Sequence, residues 1–164
     1  MTTPNAVAVR RQLVTFAAAG EQFAADIFAV ERVLRYTPPR LLPSSARWLV
    51  GVIDHGGRAI PVVDLRERLG LPAPPPGDGA RILVARAGES RVGVVVDAVH
   101  AVRTVEATAI EPPPPLYRGL AREYLDGVAR QDDAIFIVLA TDRLLTSTER
   151  IEMEHAMATE RTDG

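Results

Sequence analysis

The chain has 164 residues, 47% of them hydrophobic and 24% charged, with a net charge of −2; this is ordinary globular usage and the size of one domain, or of two small subdomains sharing a core. Cysteine and lysine are absent and the nineteen basic residues are all arginine, which excludes disulfides, thiolate nucleophiles, thiolate-held zinc, Walker lysines and Schiff bases. No basic field exists to collect a nucleic acid, and no apolar run approaches the roughly 18–20 residues of a membrane span.

Apolar and β-branched residues recur in short runs bounded by Gly, Pro, Asp or Asn, the pattern of strands rather than helices. From the N-terminus the expected strands are Gln12–Ala18, Gln22–Ile27, Val30–Tyr36, Trp48–His55 and Arg58–Asp64. They continue with Arg81–Arg86, Arg91–Val96, Val99–Val105, Tyr124–Arg130 and Ala134–Leu139. Hairpin turns are expected at Gly20-Glu21, at Asp54-His55-Gly56-Gly57 and at Gly88-Glu89, where glycine accepts positive φ. Asp132-Asp133 reads as another. Asp64 is placed to cap a short helix that Gly70 stops, and a longer helix is expected from Thr141. The proline tract 112–115 reads as a rigid loop.

The proline- and glycine-rich segment 71–79 lies near the midpoint and is expected to connect a first half, about 12–70, to a second, about 80–140. Together they form one domain over 12–154, with 1–11 and 155–164 as flexible tails. Val92–Val96 and Ile135–Leu139 are apolar on both alternating faces and must be covered on both sides. Two curved sheets or barrels sharing a third core between them meet that requirement, so the fold class is all-β.

A hydrolase would have to be assembled from Ser44, Ser45, Asp54, His55, Asp64 and Asp97, and no nucleophile elbow orders them. A metal site drawing on Asp54 with His55, or on Asp97 with His100, meets the difficulty that adjacent strand residues point to opposite faces. The carboxylates Asp54 and Asp97 read instead as strand ends that bond turn amides. The glycines of 51–57 join strand to strand and lack the helix N-terminus of a phosphate cradle. Neither catalytic residues nor a cofactor nor a metal is expected. Val30, Val33, Val99 and Val102 lie near strand ends, interleaved with Arg32, Arg35 and Arg103. Composition favours core positions for all four valines; the functional alternative is the lining of a groove for a partner helix.

The stretch Trp48-Leu49-Val50-Gly51-Val52-Ile53, followed by Gly57-Arg58-Ala59-Ile60-Pro61-Val62-Val63-Asp64-Leu65-Arg66, resembles the CheW family of chemotaxis coupling proteins. Further matching segments follow in the family's order. They are Arg91-Val92-Gly93-Val94-Val95-Val96-Asp97-Ala98-Val99, Ile110-Glu111-Pro112-Pro113, Tyr124-Leu125-Asp126-Gly127-Val128-Ala129-Arg130, and the stretch from Ile135 to Arg143. The resemblance implies two intertwined, SH3-like, five-stranded β-barrel subdomains with short helices, including one at the C-terminus. It also implies a non-enzymatic cytoplasmic adaptor, without direct membrane insertion, whose partners are the regulatory domain of the histidine kinase CheA and the cytoplasmic signalling tip of chemoreceptors. The alternative within the family is a regulatory module acting on a kinase of a non-flagellar pathway without the usual receptor contact.

Carried over by position, the receptor groove would comprise Val30, Arg32, Gly51, Gly56, Gly93, Val99 and Val102. Two positions depart from the pattern. Where the family commonly reads Asn-Leu-Arg-Gly this chain has Asp54-His55-Gly56-Gly57, so Gly56 replaces an arginine, and Arg32 stands where a glutamate is frequent. The expectation is that Arg32 reaches toward the space left by Gly56, relocating the positive charge.

Overall fold

The computed structural model describes residues 9–42, 47–113, 120–146 and 148–155. Ser44, Ser45, the end of the proline tract and most of both tails lie outside the described residues. Eleven strands are found among those described. In the first half they are β1 Arg10–Ala18, β2 Glu21–Asp26, β3 Val30–Arg35, β4 Leu49–His55 and β5 Arg58–Asp64. In the second they are β6 Arg81–Ala87, β7 Ser90–Val96, β8 Ala98–Glu106, β9 Ile110–Glu111, β10 Leu125–Gln131 and β11 Ala134–Leu139. All ten expected strands are present. The eleventh, β9, is two residues long beside a proline and carries no periodicity to read.

Turn chemistry agrees with the sequence. Gly56 and Gly57 take φ of +59° and +78° in the β4–β5 hairpin, which only residues tolerant of the left-handed region adopt without strain. Helix α1, Leu65–Arg68, is capped by the Asp64 side chain, which accepts from the Arg66 amide, and the chain leaves it through Gly70 at φ +73°. A second short helix, α2, spans Leu120–Glu123. The helix expected from Thr141 is in two pieces, a 3-10 turn over Thr141–Arg143 and α3 over 148–155. The break serves the cap: Thr146 Oγ1 accepts from the Glu149 amide while the Glu149 carboxylate accepts from the Thr146 amide, a reciprocal capping box. Arg10 and Arg11, which the sequence reading assigns to the N-terminal tail, open β1 and pair with Glu106 and Val105 of β8.

The strands form two sheets, ordered β8-β1-β2-β11-β10-β9 and β3-β6-β7-β5-β4. Each is closed by a bent strand. β8 pairs with β1, turns through Ala107–Ala109 and returns as β9 against β10; likewise the chain after β3, which pairs with β6, reaches Arg40, which bridges to Val52 of β4. The two sheets are built alike. β2 with β11 and β7 with β5 are the parallel contacts, and β4–β5 and β10–β11 carry matching bulges at Leu49/Gly51 and Leu125/Gly127. The second half therefore repeats the first, with each half lending its opening hairpin to the other half's barrel. The connector 71–79 consequently joins α1 to β6, two elements of the same barrel, and does not separate the sheets.

Three apolar cores follow from this exchange. One lies inside the first barrel around Leu13, Val105, Phe136 and Val138. A second lies inside the other barrel around Val62, Ile82 and Val95. The largest lies between the barrels, where Phe16 and Phe23 stack at 5.8 Å among Val63, Leu83, Val94, Ile137 and Leu144. Alternation explains the division: Leu13 faces its own barrel while Phe16, three residues on across a bulge, faces the shared core. Each such fully buried side chain contributes about 1.5–3 kcal/mol.

Candidate partner-binding site

The residues carried over by resemblance do not form one surface. Gly51 is buried, and a Cβ there would fall on the carbonyl oxygen of Arg40; glycine lets the segment after β3 close the barrel through the Arg40–Val52 bridge. Gly93 is buried as well, with a Cβ meeting Ile82 Cγ2 at 3.0 Å and Val62 Cγ2 at 3.2 Å. Both glycines are packing requirements of the second barrel. Val30 and Val99 are half-buried against the shared core. Val33 and Val102 are 45% and 52% exposed. Composition thus misassigns those two, which sit on the bent strands β3 and β8 where one face turns outward. Arg32 and Gly56 do come together: both line a concavity of about 270 Å³ with Glu31, His55, Arg58, Ile60 and Arg91.

The signature residues Asp64, Arg66 and Asp97 serve a different purpose. The Arg66 side chain is 2% exposed. Its Nε and Nη2 donate to the two oxygens of Asp64 at 3.1 and 3.0 Å, and its Nη1 donates to Asp97 Oδ1 at 3.1 Å. The bonds to Asp64 raise the Arg66 pKa further above its ordinary value against the opposing effect of burial. Asp97 Oδ2 in turn accepts from the Ala19 amide at 2.7 Å, and the Asp97 amide donates to Ala17 O. Asp97 therefore does bond a turn amide, in the β1–β2 hairpin, but its other oxygen belongs to Arg66. The network runs from α1 through the β7–β8 corner to the β1–β2 turn, and so ties the barrels together.

Arg68 forms a second tie that the sequence reading missed. Its guanidinium lies 4.3 Å from the Trp48 ring and 4.8 Å from the Tyr124 ring, donates from Nε to Leu144 O at 3.0 Å, and pairs with both oxygens of Glu149. Burial alone would raise the Glu149 carboxyl, but the bonds from Arg68 and from the Thr146 amide outweigh it and hold that pKa below the usual range. An arginine four places beyond the capping Asp64, one helical turn on, was the available signal.

The candidate chemical groups are thereby occupied or scattered. Asp64 and Asp97 face Arg66, Asp54 pairs with Arg40 at 3.5 Å, and His55 makes no hydrogen bond to a carboxylate among the described residues. No group of three or more His, Asp or Glu is arranged to hold a metal ion among them either. No helix of the described residues is long and apolar enough to cross a membrane. The surface instead offers protruding apolar groups, Phe28 at 84% exposure among them, beside open concavities. Exposed apolar groups of this kind on a twin-barrel scaffold are what a protein–protein contact uses.

Comparison with known proteins agrees. Residues 12–149 match the model of the CheW-like domain. The chain is 30% identical over 139 residues to the probable chemotaxis protein CheW of Rhizobium etli, covering 85% of this chain and 90% of that protein. It is 31% identical over 140 residues to the chemotaxis protein CheW of Rhizobium meliloti, with the same coverage. Protein FrzA of Myxococcus xanthus is 32% identical over 128 residues, 76% of this chain and 78% of that one. The crystal structure of the scaffolding protein TtCheW from Thermoanaerobacter tengcongensis superposes with a TM-score of 0.79 at 29% identity, covering 86% of this chain and 96% of that one. The chain belongs to the CheW-like domain family, and is a non-catalytic adaptor of the chemotaxis type.

Proposed function

We propose that this chain couples the cytoplasmic signalling tip of a chemoreceptor to the regulatory domain of the histidine kinase CheA, working in the cytoplasm. The family membership supports the reading, and the observation that carries it is the pair of bent strands β3 and β8, which expose Val33 and Val102 where an apolar contact with another protein's helix lowers free energy. Affinity comes from such apolar contacts and selectivity from the charges around them. Individually modest contacts gain strength in an array through raised effective concentration.

The test is reconstitution with the chain's own receptor tip and CheA. Kinase activity is expected to rise with receptor only when the chain is present, and co-sedimentation should recover all three proteins; activation that proceeds equally well without the chain refutes the proposal. A second reading, a regulatory module acting on a kinase without the usual receptor contact, draws on Gly56 and Arg32, which alter the charge at this mouth of the barrel. It predicts co-sedimentation with CheA but not with receptor tips.

A further inference from the structure

We propose that the concavity beneath the β4–β5 hairpin reads carboxylates, so that Arg32 and Arg58 select a partner whose docking helix presents acidic side chains there. This rests on the adaptor reading above and adds the chemistry by which that partner is chosen.

The lining places three guanidinium groups, of Arg32, Arg58 and Arg91, against the one carboxylate of Glu31, an excess of two positive charges on a chain of net charge −2. Glu31 is fully engaged. It accepts from Arg91 at 2.6 Å and from Arg86 at 3.1 Å, and these bonds, Arg91's first, hold its carboxyl below the usual range. One acid thus answers two arginines, one at each oxygen, and its single negative charge is shared between them. Arg32 and Arg58 are exposed and form no ion pair with any described residue. The remaining nearby acid of the hairpin, Asp54, is paired with Arg40. Glu89 and Glu154 line only the adjoining cavity of about 630 Å³, which Arg58 and Arg91 share.

The shape suits an inserted side chain. The buried Ile60 is part of its lining, and a Cβ at Gly56 or Gly57 would meet nothing within 4 Å, so the hairpin tip leaves the opening uncovered. A guanidinium fork meets a carboxylate through two parallel N–H···O bonds, which makes arginine a reader of acid geometry as well as of charge. The concavity is smaller than a typical small-molecule site of roughly 300–1,000 Å³. A protein-borne carboxylate, held in place by contacts elsewhere, suits a concavity of this size.

The experiment measures binding of the full chain to the signalling tip of its own receptor, and separately to the CheA regulatory domain, for wild type and for the double variant R32E/R58E. Both sites are exposed, so an unchanged unfolding midpoint verifies the fold. The variant is expected to bind the receptor tip on the order of tenfold more weakly, with a shallower salt dependence, and to bind CheA as wild type does. Replacing the opposing acid of the tip by arginine should restore binding to the variant alone. Equal tip binding by variant and wild type overturns the inference while leaving the adaptor reading intact. Displacement of the tip by inorganic phosphate, but not by chloride at equal ionic strength, assigns the concavity to a free anion and also overturns it. Wild-type binding to neither partner defeats the adaptor reading and the inference together.

Discussion

Replacing Arg66 with methionine keeps the volume of the side chain and removes its charge. It would leave the Asp64 carboxylate, 12% exposed, facing an apolar wall with only the cap bond at 3.0 Å, and Asp97, 36% exposed, free to turn to water. Removing one partner of a buried, hydrogen-bonded pair costs about 3–5 kcal/mol, a large part of the 5–15 kcal/mol that holds a typical domain; for a chain of this length the midpoint of thermal unfolding should fall by about 6–20 °C. Asp64→Asn retains a capping oxygen and leaves Arg66 with Asp97, so it should cost less than Arg66→Met. Asp97→Asn should cost least, about 1 kcal/mol, because that carboxylate is partly solvated and the amide oxygen still accepts from Ala19. Urea unfolding followed by fluorescence is a suitable assay, since Trp48 is the sole tryptophan and packs against the shared core. A double-mutant cycle between positions 64 and 66 should show coupling above about 1 kcal/mol. Three variants all within about 0.5 kcal/mol of wild type would show that the network does not hold the barrels together.

Other consequences are directly measurable. The Glu149 carboxyl is held below its ordinary pKa, so its contribution is complete above the unfolded value near about 4.3 and is lost as pH falls through the folded value; hydrogen exchange in α3 should accelerate below about pH 4, and Glu149→Gln should remove that dependence. Gly51→Ala should destabilise by about 1–3 kcal/mol through displacement of the Arg40 carbonyl, seen in the urea midpoint. Val33→Asp with Val102→Asp should leave that midpoint within about 0.5 kcal/mol of wild type and weaken receptor-tip binding in equilibrium titration. Fragments 1–70 and 80–164 should each fail to unfold cooperatively when alone and regain a cooperative transition when mixed, because each barrel draws strands from both; a cooperative transition in either fragment by itself counts against that interleaving.

Strand positions were legible because β-branched runs bounded by glycine and aspartate carry a local signal, and every one of the ten lies within two residues of its expected ends. The exchange of hairpins between halves was not derivable from the residues themselves. Parallel pairing of β2 with β11, more than a hundred residues apart, leaves no mark on local periodicity. The site was legible in part. The approach of Arg32 and Gly56 to one concavity could be anticipated, whereas Gly51 and Gly93, placed in the groove by resemblance alone, lie packed against Arg40 and against Ile82 and Val62. Arg58 went unnoticed because a lone arginine after a turn is ordinary; only the neighbouring engagement of Glu31 gives it meaning. Phe28, two residues after the capping Asp26, lies in a 3-10 turn with its ring turned outward, a position that no local pattern singles out.

The absence of lysine acquires a structural sense once the interior is seen. Arg66 uses three nitrogens on two carboxylates, and Arg68 places a flat cation between two rings while bonding a carbonyl and both oxygens of Glu149. An ammonium group is compact, strongly hydrated and without a planar fork, so it meets neither geometry. These two guanidinium groups add polar connections to the apolar core that the barrels share. Through Asp97, Arg66 also holds the corner from which β8 departs. The interior cations are thus committed to the fold, whereas Arg32 and Arg58 are exposed, form no ion pair with any described residue, and are open to a partner.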